Sequence, residues 1–388
     1  MLKFKIIGTG AAGNKAAINL IKNHAYNAND IILMNSTSRD IEEEYLRNAI
    51  IFGAPTLGGC GKEREAGKRM LLADLKTSTI NLDGLTDPDT NAIIIVSSVE
   101  GGSGSATAPI LAKYCTEVLG LPVILVLFFG FGTDARGLQN SVETCKEIPD
   151  KASVIAISNA SFLEEANGNR IKAEQLANEE FAKIVRIISG ADLKASFQNI
   201  DDTDLLKLVT TAGYMRVEHT NISKIKNIDS FNKALAAAAD GSHLISSAKG
   251  CTRIGIMLDI DESLSDFCDY NAEVLSNYFG TPYEAFTHVQ HTTDHGNASW
   301  IVSGLPLPIK EVSEIYEKYL ESSNSVNKNR DSFFDNLSTM TGNEIDYAFN
   351  MVNPTTKPAK QKSKSSFFAD YGIGDKPAKA SSSPKEEY

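Results

Sequence analysis

Apolar and polar positions change period repeatedly along this chain, and the changes mark its elements. Lys3-Phe4-Lys5-Ile6-Ile7 alternates, which predicts a strand. The unbroken runs Ile31-Ile32-Leu33-Met34, Ala92-Ile93-Ile94-Ile95-Val96 and Val154-Ile155-Ala156-Ile157-Ser158 predict strands covered on both faces. Segments with helical character, Lys15 to Lys22 and Ile110 to Leu119, lie between them. Residues 1–170 therefore alternate strand and helix, as in a Rossmann-like parallel sheet wound on both faces. A long central helix is predicted over 171–190, and a loop carries the chain to 204. A second α/β unit follows at 205–308, with strands at Thr252–Asp259 and Ala298–Ser303. Gly304-Leu305-Pro306-Leu307-Pro308 then breaks the chain. Residues 309–353 read as helices, Ile309 to Ser322 and an amphipathic Asp331 to Val352 that packs on the body or on a neighbouring subunit. Residues 354–388 form a tail, and no internal repeat is present.

Three clusters of small residues interrupt the first 110 residues. Gly8-Thr9-Gly10-Ala11-Ala12-Gly13-Asn14 follows the first strand and fits the dinucleotide fingerprint G-x-G-x-x-G. A nicotinamide or flavin enzyme is thus one reading, but the second apolar run ends in Asn35 rather than a ribose-binding acid. Leu57-Gly58-Gly59-Cys60-Gly61-Lys62-Glu63-Arg64-Glu65-Ala66-Gly67 is the second cluster. The third, Val99-Glu100-Gly101-Gly102-Ser103-Gly104-Ser105-Ala106-Thr107, joins a buried strand to a helix. Glycine lets backbone N–H groups approach phosphate oxygens, hydroxyls add donors, and a helix N-terminus favours negative charge. No Gly-Lys-Ser/Thr follows, so this is not a Walker A loop. Three such loops in one α/β pattern suggest one polyphosphate held from several sides.

Asn199-Ile200-Asp201-Asp202-Thr203-Asp204-Leu205 follows the central helix. Asp201 and Asp204 are three apart, and paired carboxylates suit a metal or the orientation of a water nucleophile. Spacing alone favours a plainer role, with Asp201 or Asp202 as the N-cap of a helix from Leu205.

In this order the motifs resemble the tubulin/FtsZ superfamily of polymerising GTPases, over residues 1–308. The resemblance implies that Gly8, Gly10, Ala11, Ala12, Gly13 and Asn14 form the first nucleotide loop, with Asn14 on guanine. It places Asn35 near the phosphates and Gly59 and Gly61 in the loop that senses the γ-phosphate. Gly101, Gly102, Ser103, Gly104 and Ser105 resemble the signature loop, with Ser103 and Ala106 as departures. Phe129 to Arg136 resembles the ribose-side loop, with Arg136 on its Arg but Gly132 where the division protein carries Glu. Asn159 falls beneath the base and Asn178 reads guanine from the central helix, where Glu174 replaces the stacking aromatic. Asn199, Asp201 and Asp204 match the catalytic Asn-x-Asp-x-x-Asp loop.

What the resemblance implies is GTP hydrolysed to GDP, with Mg²⁺ held largely by phosphates and water. Asp201 and Asp204 would reach the nucleotide of the next subunit, a head-to-tail contact that builds a filament. Loss of the γ-phosphate sensed by residues 58–67 would weaken that contact. Helices beyond the Pro-rich break and a basic tail resemble the plasmid- and phage-borne TubZ branch, which segregates DNA. That likeness implies a centromere-bound adaptor of the TubR type, contacted electrostatically by Lys357, Lys360, Lys362 and Lys364. A cell-division or phage-positioning filament and a dinucleotide-dependent oxidoreductase are the alternatives.

Composition narrows the picture little further. Apolar residues at 42% of 388 suffice for sizeable cores, and no run is long enough to span a bilayer. Met1-Leu2-Lys3 enters the first strand directly, and five scattered cysteines, Cys60, Cys115, Cys145, Cys251 and Cys268, fit a reducing cytoplasm. A net charge of −11 argues against a nucleic-acid-binding body. In residues 354–388 seven lysines face four acids, a charge of +3, which leaves −14 on residues 1–353. Its Ser, Pro and Lys content predicts disorder, interrupted by a docking-like Phe367-Phe368-Ala369-Asp370-Tyr371. His288, His291 and His295 cluster, but Phe286 to Trp300 reads better as two strands and a turn than as a metal site.

Overall fold

The alternation of apolar side chains along each early strand decides which layer each residue enters. The computed structural model describes residues 1–53, 58–82, 84, 86–196, 198–246, 249–271, 273–291, 296–324 and 362–372. The strands are β1 (Phe4–Thr9), β2 (Ile31–Asn35), β3 (Ala49–Ile51), β4 (Ala92–Ser98), β5 (Val123–Phe129), β6 (Ser153–Ser158), β7 (Gly213–Asn221), β8 (Arg253–Asp259), β9 (Glu284–Gln290) and β10 (Asn297–Leu305). Ile94 and Val96 of β4 and Ile124 and Val126 of β5 enter one core, while Ile93, Ile95, Leu125 and Leu127 enter the other. A strand buried on both sides needs no polar face, which is why these runs are uniformly apolar.

The helices are α1 (Gly10–Lys22), α2 (Arg64–Lys76), α3 (Ser103–Tyr114), α4 (Ala135–Lys146), α5 (Arg170–Ser189), α6 (Asp202–Val209), α7 (Ile228–Asp240), α8 (Glu273–Phe279), α9 (Ile309–Asn324) and the short α10 (Lys364–Ala369). Phe181, Ile184, Val185 and Ile188 place one face of α5 in the core that also holds Phe4 and Leu20. Among the described residues all strands form one sheet, ordered β3-β2-β1-β4-β5-β6-β7-β10-β8-β9. Pairing is parallel from β3 to β7. The β6–β7 junction spans only Ser153–Gly213 and Val154–Tyr214. Beyond it β10 runs antiparallel to both β7 and β8, and β9 joins β8 in parallel.

Phe286 to Trp300 holds parts of two strands, β9 and β10, as expected; they do not pair with each other, because β8 lies between them. Trp300, Ile301 and Val302 of β10 are fully buried and need neighbours on both sides, whereas the half-buried β9 takes the edge. The helix predicted over Ile110 to Leu119 begins earlier and ends in a π-helical turn, Cys115–Leu119, closed by Gly120 at φ +71°. The segment Asp331 to Val352 lies outside the described residues.

Within the basic tail, residues 362–372 dock on the body. Phe367 is fully buried and meets Tyr114 edge-on at 5.2 Å between ring centroids. Lys113 pairs with Asp370 at 2.9 Å, and Lys362 with Glu117 at 3.0 Å and Asp370 at 3.1 Å. The Lys362 N–H also donates to the Glu117 carbonyl at 2.8 Å, in the π turn that ends α3. Two aromatics embedded in a polar sequence thus reach the apolar surface their composition requires.

Candidate functional site

Parallel pairing brings the carboxyl ends of β1, β2, β4, β5 and β6 to one edge of the sheet. From β1 the chain winds outward through β2 and β3, then returns to β4 on the other side of β1. The order reverses between β1 and β4, and ligands of wound α/β sheets bind at that switch point. Both helices opening there start inside the small-residue loops, α1 at Gly10 and α3 at Ser103, rather than at Lys15 and Ile110. Neither Thr9 before α1 nor Gly102 before α3 gives a side-chain cap. Two sets of first-turn N–H groups therefore face one crevice, the arrangement that binds a phosphate.

The glycines are needed because the loops touch through their backbones. A Cβ on Gly10 would lie 2.7 Å from Gly104 N, and one on Gly104 would lie 2.6 Å from the Thr9 carbonyl oxygen. A Cβ on Gly102 would meet the Lys62 backbone at 2.7–2.9 Å, and one on Gly13 the Val96 carbonyl at 2.1 Å. Gly59 and Gly61 differ: they have open space around them but adopt φ of +86° and +55°. Ser103 bonds Ser36 at 2.7 Å, and Cys60 lies 3.3 Å from Ser103 and 3.4 Å from Ser36. Buried Cys60 thus fills space where three loops meet. Ser105 is buried and its hydroxyl turns back to the Gly101 carbonyl, so it shapes the loop.

The asparagines around the crevice divide into two kinds. Asn35 is buried, donates to Asp40 at 3.1 Å and accepts from Ser36 N at 2.9 Å, which fixes the end of β2. Asn14 donates to the Met34 carbonyl at 3.2 Å while its Oδ1 is buried without a partner. Asn159 Oδ1, at the end of β6, is buried and unpaired as well. A buried acceptor left unpaired costs about 1–3 kcal/mol, so both fit a ligand that brings N–H donors, as guanine does at N1 and N2. Asn178 is half-buried on α5, and its carbonyl accepts from Asn19 of α1 at 3.0 Å. Ala11 and Ala12 lie on the first turn of α1, exposed and half-buried.

Asn140 was not visible as a site residue in the sequence. It is 1% exposed on α4, and its amide donates to the carbonyls of Lys62, Glu100 and Gly101 at 3.0–3.1 Å, clamping two of the loops together. Nothing in a lone helical Asn signals this, because its partners are 39 to 78 positions away in sequence. Two ion pairs bridge the same loops at the rim, Lys62–Asp134 at 2.6 Å and Arg136–Glu63 at 2.9 Å. Asp134 also caps α4 through Gly137 N, and its Lys62 contact holds the carboxyl below its ordinary range.

Asp201 and Asp204 lie elsewhere. Asp201 is the N-cap of α6, accepting Asp204 N at 2.8 Å, and Asp204 meets Lys207 at 3.4 Å. Asn199 is exposed and closes a turn with Ser196. Between these acids, Asp202 pairs with the Met1 ammonium at 3.0 Å, at the amino end of β1. Thr9, at the carboxyl end, is one strand length away, about 20 Å for six residues. Within one chain the acidic loop and the phosphate crevice therefore occupy opposite edges of the sheet. Of the histidines, His288 bonds Gln290 at 3.0 Å and His291 the Ile260 carbonyl at 2.7 Å, while His295 lies outside the described residues. No group of three or more His, Cys, Asp or Glu is arranged to hold a metal among the described residues. No helix among them is long and apolar enough to cross a membrane. Lys362 is engaged with Glu117 and Asp370, Lys364 opens α10, and Lys357 and Lys360 lie outside the described residues.

A wound sheet with two uncapped helix N-termini and three glycine loops at its switch point is an arrangement suited to a phosphate-bearing ligand. Residues 3–167 match the family model described as "Tubulin/FtsZ family, GTPase domain". The tubulin-like protein CetZ2 of Haloferax volcanii is 26% identical over 196 residues, 49% of this chain and 54% of that protein. The cell division protein FtsZ of Mycoplasmopsis pulmonis is 25% identical over 214 residues, 54% of this chain and 53% of that protein. The chain thus spans about half the length of the curated relatives it matches. Among solved structures, the GTPγS-form protofilament of TubZ from Bacillus thuringiensis serovar israelensis shares the fold. Its TM-score is 0.68 at 15% identity, covering 84% of this chain and 93% of that one.

Proposed function

We propose that this protein binds GTP in the crevice between β1 and β4 and hydrolyses it only when a second copy stacks head-to-tail on the first. The observation that carries this is the separation of its two half-sites. Phosphate-binding amides lie at the carboxyl edge of the sheet and the Asp201–Asp204 loop at the amino edge, so one chain cannot bring both to one γ-phosphate. Stacking copies in one direction brings the acidic loop of each to the crevice of the next, and such a contact does not close, so it builds a filament. Asp201 and Asp204 then orient water on the γ-phosphate, and residues 58–67 register its loss.

Light scattering and phosphate release with GTP, GDP and a non-hydrolysable GTP analogue test this reading. Polymer should form with GTP and decay as phosphate appears, and persist with the analogue. Asp201→Asn separates capping from chemistry, because Asn caps a helix as well as Asp does. It should leave unfolding unchanged, cut phosphate release at least tenfold and over-stabilise polymer; wild-type hydrolysis would remove Asp201 from the site.

For cellular role, the basic composition of residues 354–388 supports a DNA-segregating filament that engages an adaptor of the TubR type. The names of its curated relatives, which include cell division proteins, support a division filament instead. Removing residues 354–388 should abolish salt-sensitive binding to an adaptor–DNA complex while sparing GTP hydrolysis. Loss of neither would favour the division role.

A further inference from the structure

Glu100 is an odd residue to find in a phosphate loop. It directly precedes Gly101 at the end of β4, where a negative charge repels the group the loop is built to hold. Its side chain reaches the loop after β5, where one carboxylate oxygen accepts Gly132 N–H at 3.0 Å. Two glycines make room for it. A Cβ on Gly130 would lie 2.2 Å and 2.8 Å from the two carboxylate oxygens, and one on Gly137 would lie 3.3 Å from Glu100 Cβ. Gly130 does not adopt positive φ, so its lack of a side chain is explained by the carboxylate rather than by backbone conformation. The backbone of Glu100 is fixed too, by Ser98 Oγ at 3.3 Å and Asn140 at 3.1 Å.

We propose that Glu100 is a ribose-recognition residue, its carboxylate accepting the sugar hydroxyls of the nucleotide whose phosphates lie on the adjoining loop. This rests on reading the crevice as a guanine-nucleotide site. Beside bound phosphates a carboxylate is tolerated only where it faces donors, and a nucleotide offers them as sugar hydroxyls and base N–H groups. The unpaired Asn14 and Asn159 oxygens are matched to the base, which leaves the sugar for Glu100. Each carboxylate oxygen carries two lone pairs, so the Gly132 bond leaves acceptor capacity for two hydroxyls. Carboxylates serve the same purpose in dinucleotide folds, where they come from the end of the next strand. Partial burial pushes the carboxyl up, while the Gly132 and Gly130 N–H groups and Lys62 draw it back.

Equilibrium binding of GDP and 2′,3′-dideoxy-GDP to the full chain tests the assignment without hydrolysis. Charge-assisted hydrogen bonds predict that wild type prefers GDP by roughly 10- to 100-fold. Glu100→Ala should reduce that ratio to near one, by weakening GDP and leaving dideoxy-GDP almost unchanged. Gly130→Ala, which displaces the carboxylate without removing it, should do the same. Glu100→Gln keeps an acceptor for Gly132 and checks that the loop remains folded. Equal weakening of both ligands in Glu100→Ala would mean a brace for the loop, and would overturn the proposal. So would a loss that disappears in EDTA, which would assign Glu100 to a metal. Failure of wild type to bind either ligand would instead overturn the nucleotide reading on which it rests.

Discussion

Replacing Arg64 with methionine would measure how the helices around the crevice are tied together. Pro109 occupies the seventh position of α3 and has no N–H for the Ser105 carbonyl four residues back. Arg64 of α2 supplies the missing donor, its Nη2 lying 3.1 Å from that oxygen, with Thr144 at 3.4 Å. The guanidinium is almost wholly buried and also pairs with Glu143 at 3.1 Å and Glu147 at 2.6 Å. Truncating one partner of a buried pair costs about 3–5 kcal/mol. Here the carboxylates are 29% and 34% exposed, so water recovers part of their solvation. The low end, about 3 kcal/mol, is therefore expected for Arg64→Met.

Pro109→Ala restores an N–H and gives Ser105 an intrahelical partner, so Arg64→Met should cost about 1 kcal/mol less in that background. Urea unfolding of the four proteins of this cycle reads both terms. With a slope of roughly 3 kcal/mol per molar, the single variant should move the midpoint by about 1 M. A shift worth less than about 0.5 kcal/mol would match an ordinary surface substitution and refute the buried-tie account. A full cost with no coupling to Pro109 would keep the ion pairs and discard the carbonyl argument.

Two further outcomes follow from packing away from the crevice. Glu218 of β7 is buried against Arg216 at 3.0 Å, and burial pushes its carboxyl from 4.5 up to about 7, although Arg216 and Ser242 pull it down. The native chain then holds a proton that the unfolded chain has released, so stability falls as pH rises through this window. Glu218→Gln should flatten that fall in urea midpoints measured from pH 4.5 to 7; an unchanged slope would assign it to other groups. Phe367→Ala removes the ring that meets Tyr114 and should cost the docked tail about 3 kcal/mol, raising tryptic cleavage at Lys362 and Lys364 roughly a hundredfold. Cleavage at the wild-type rate would mean that the segment is held by its ion pairs instead.

Some of this protein is written locally, and those parts were legible in its sequence. Strand runs buried on both faces declare a wound parallel sheet, because no other layer arrangement covers both sides of Ile93-Ile94-Ile95. The loops of small residues declare an anion site, because only glycine allows approaches as close as Gly10 to Gly104. The cap at Asp201 was legible for the same reason, since its partner is only three residues on. Tertiary structure decided the features whose partners are distant. It placed β8 between β9 and β10, set Asn140 and Arg64 as ties between loops and helices, and swung Glu100 across to Gly132. It also seated Phe367 on Tyr114, more than 250 residues away, and put Asp201 a strand length from the phosphate loops. Spacing along the chain fixes the period and the turn, whereas burial and the satisfaction of buried polar groups depend on which surfaces meet.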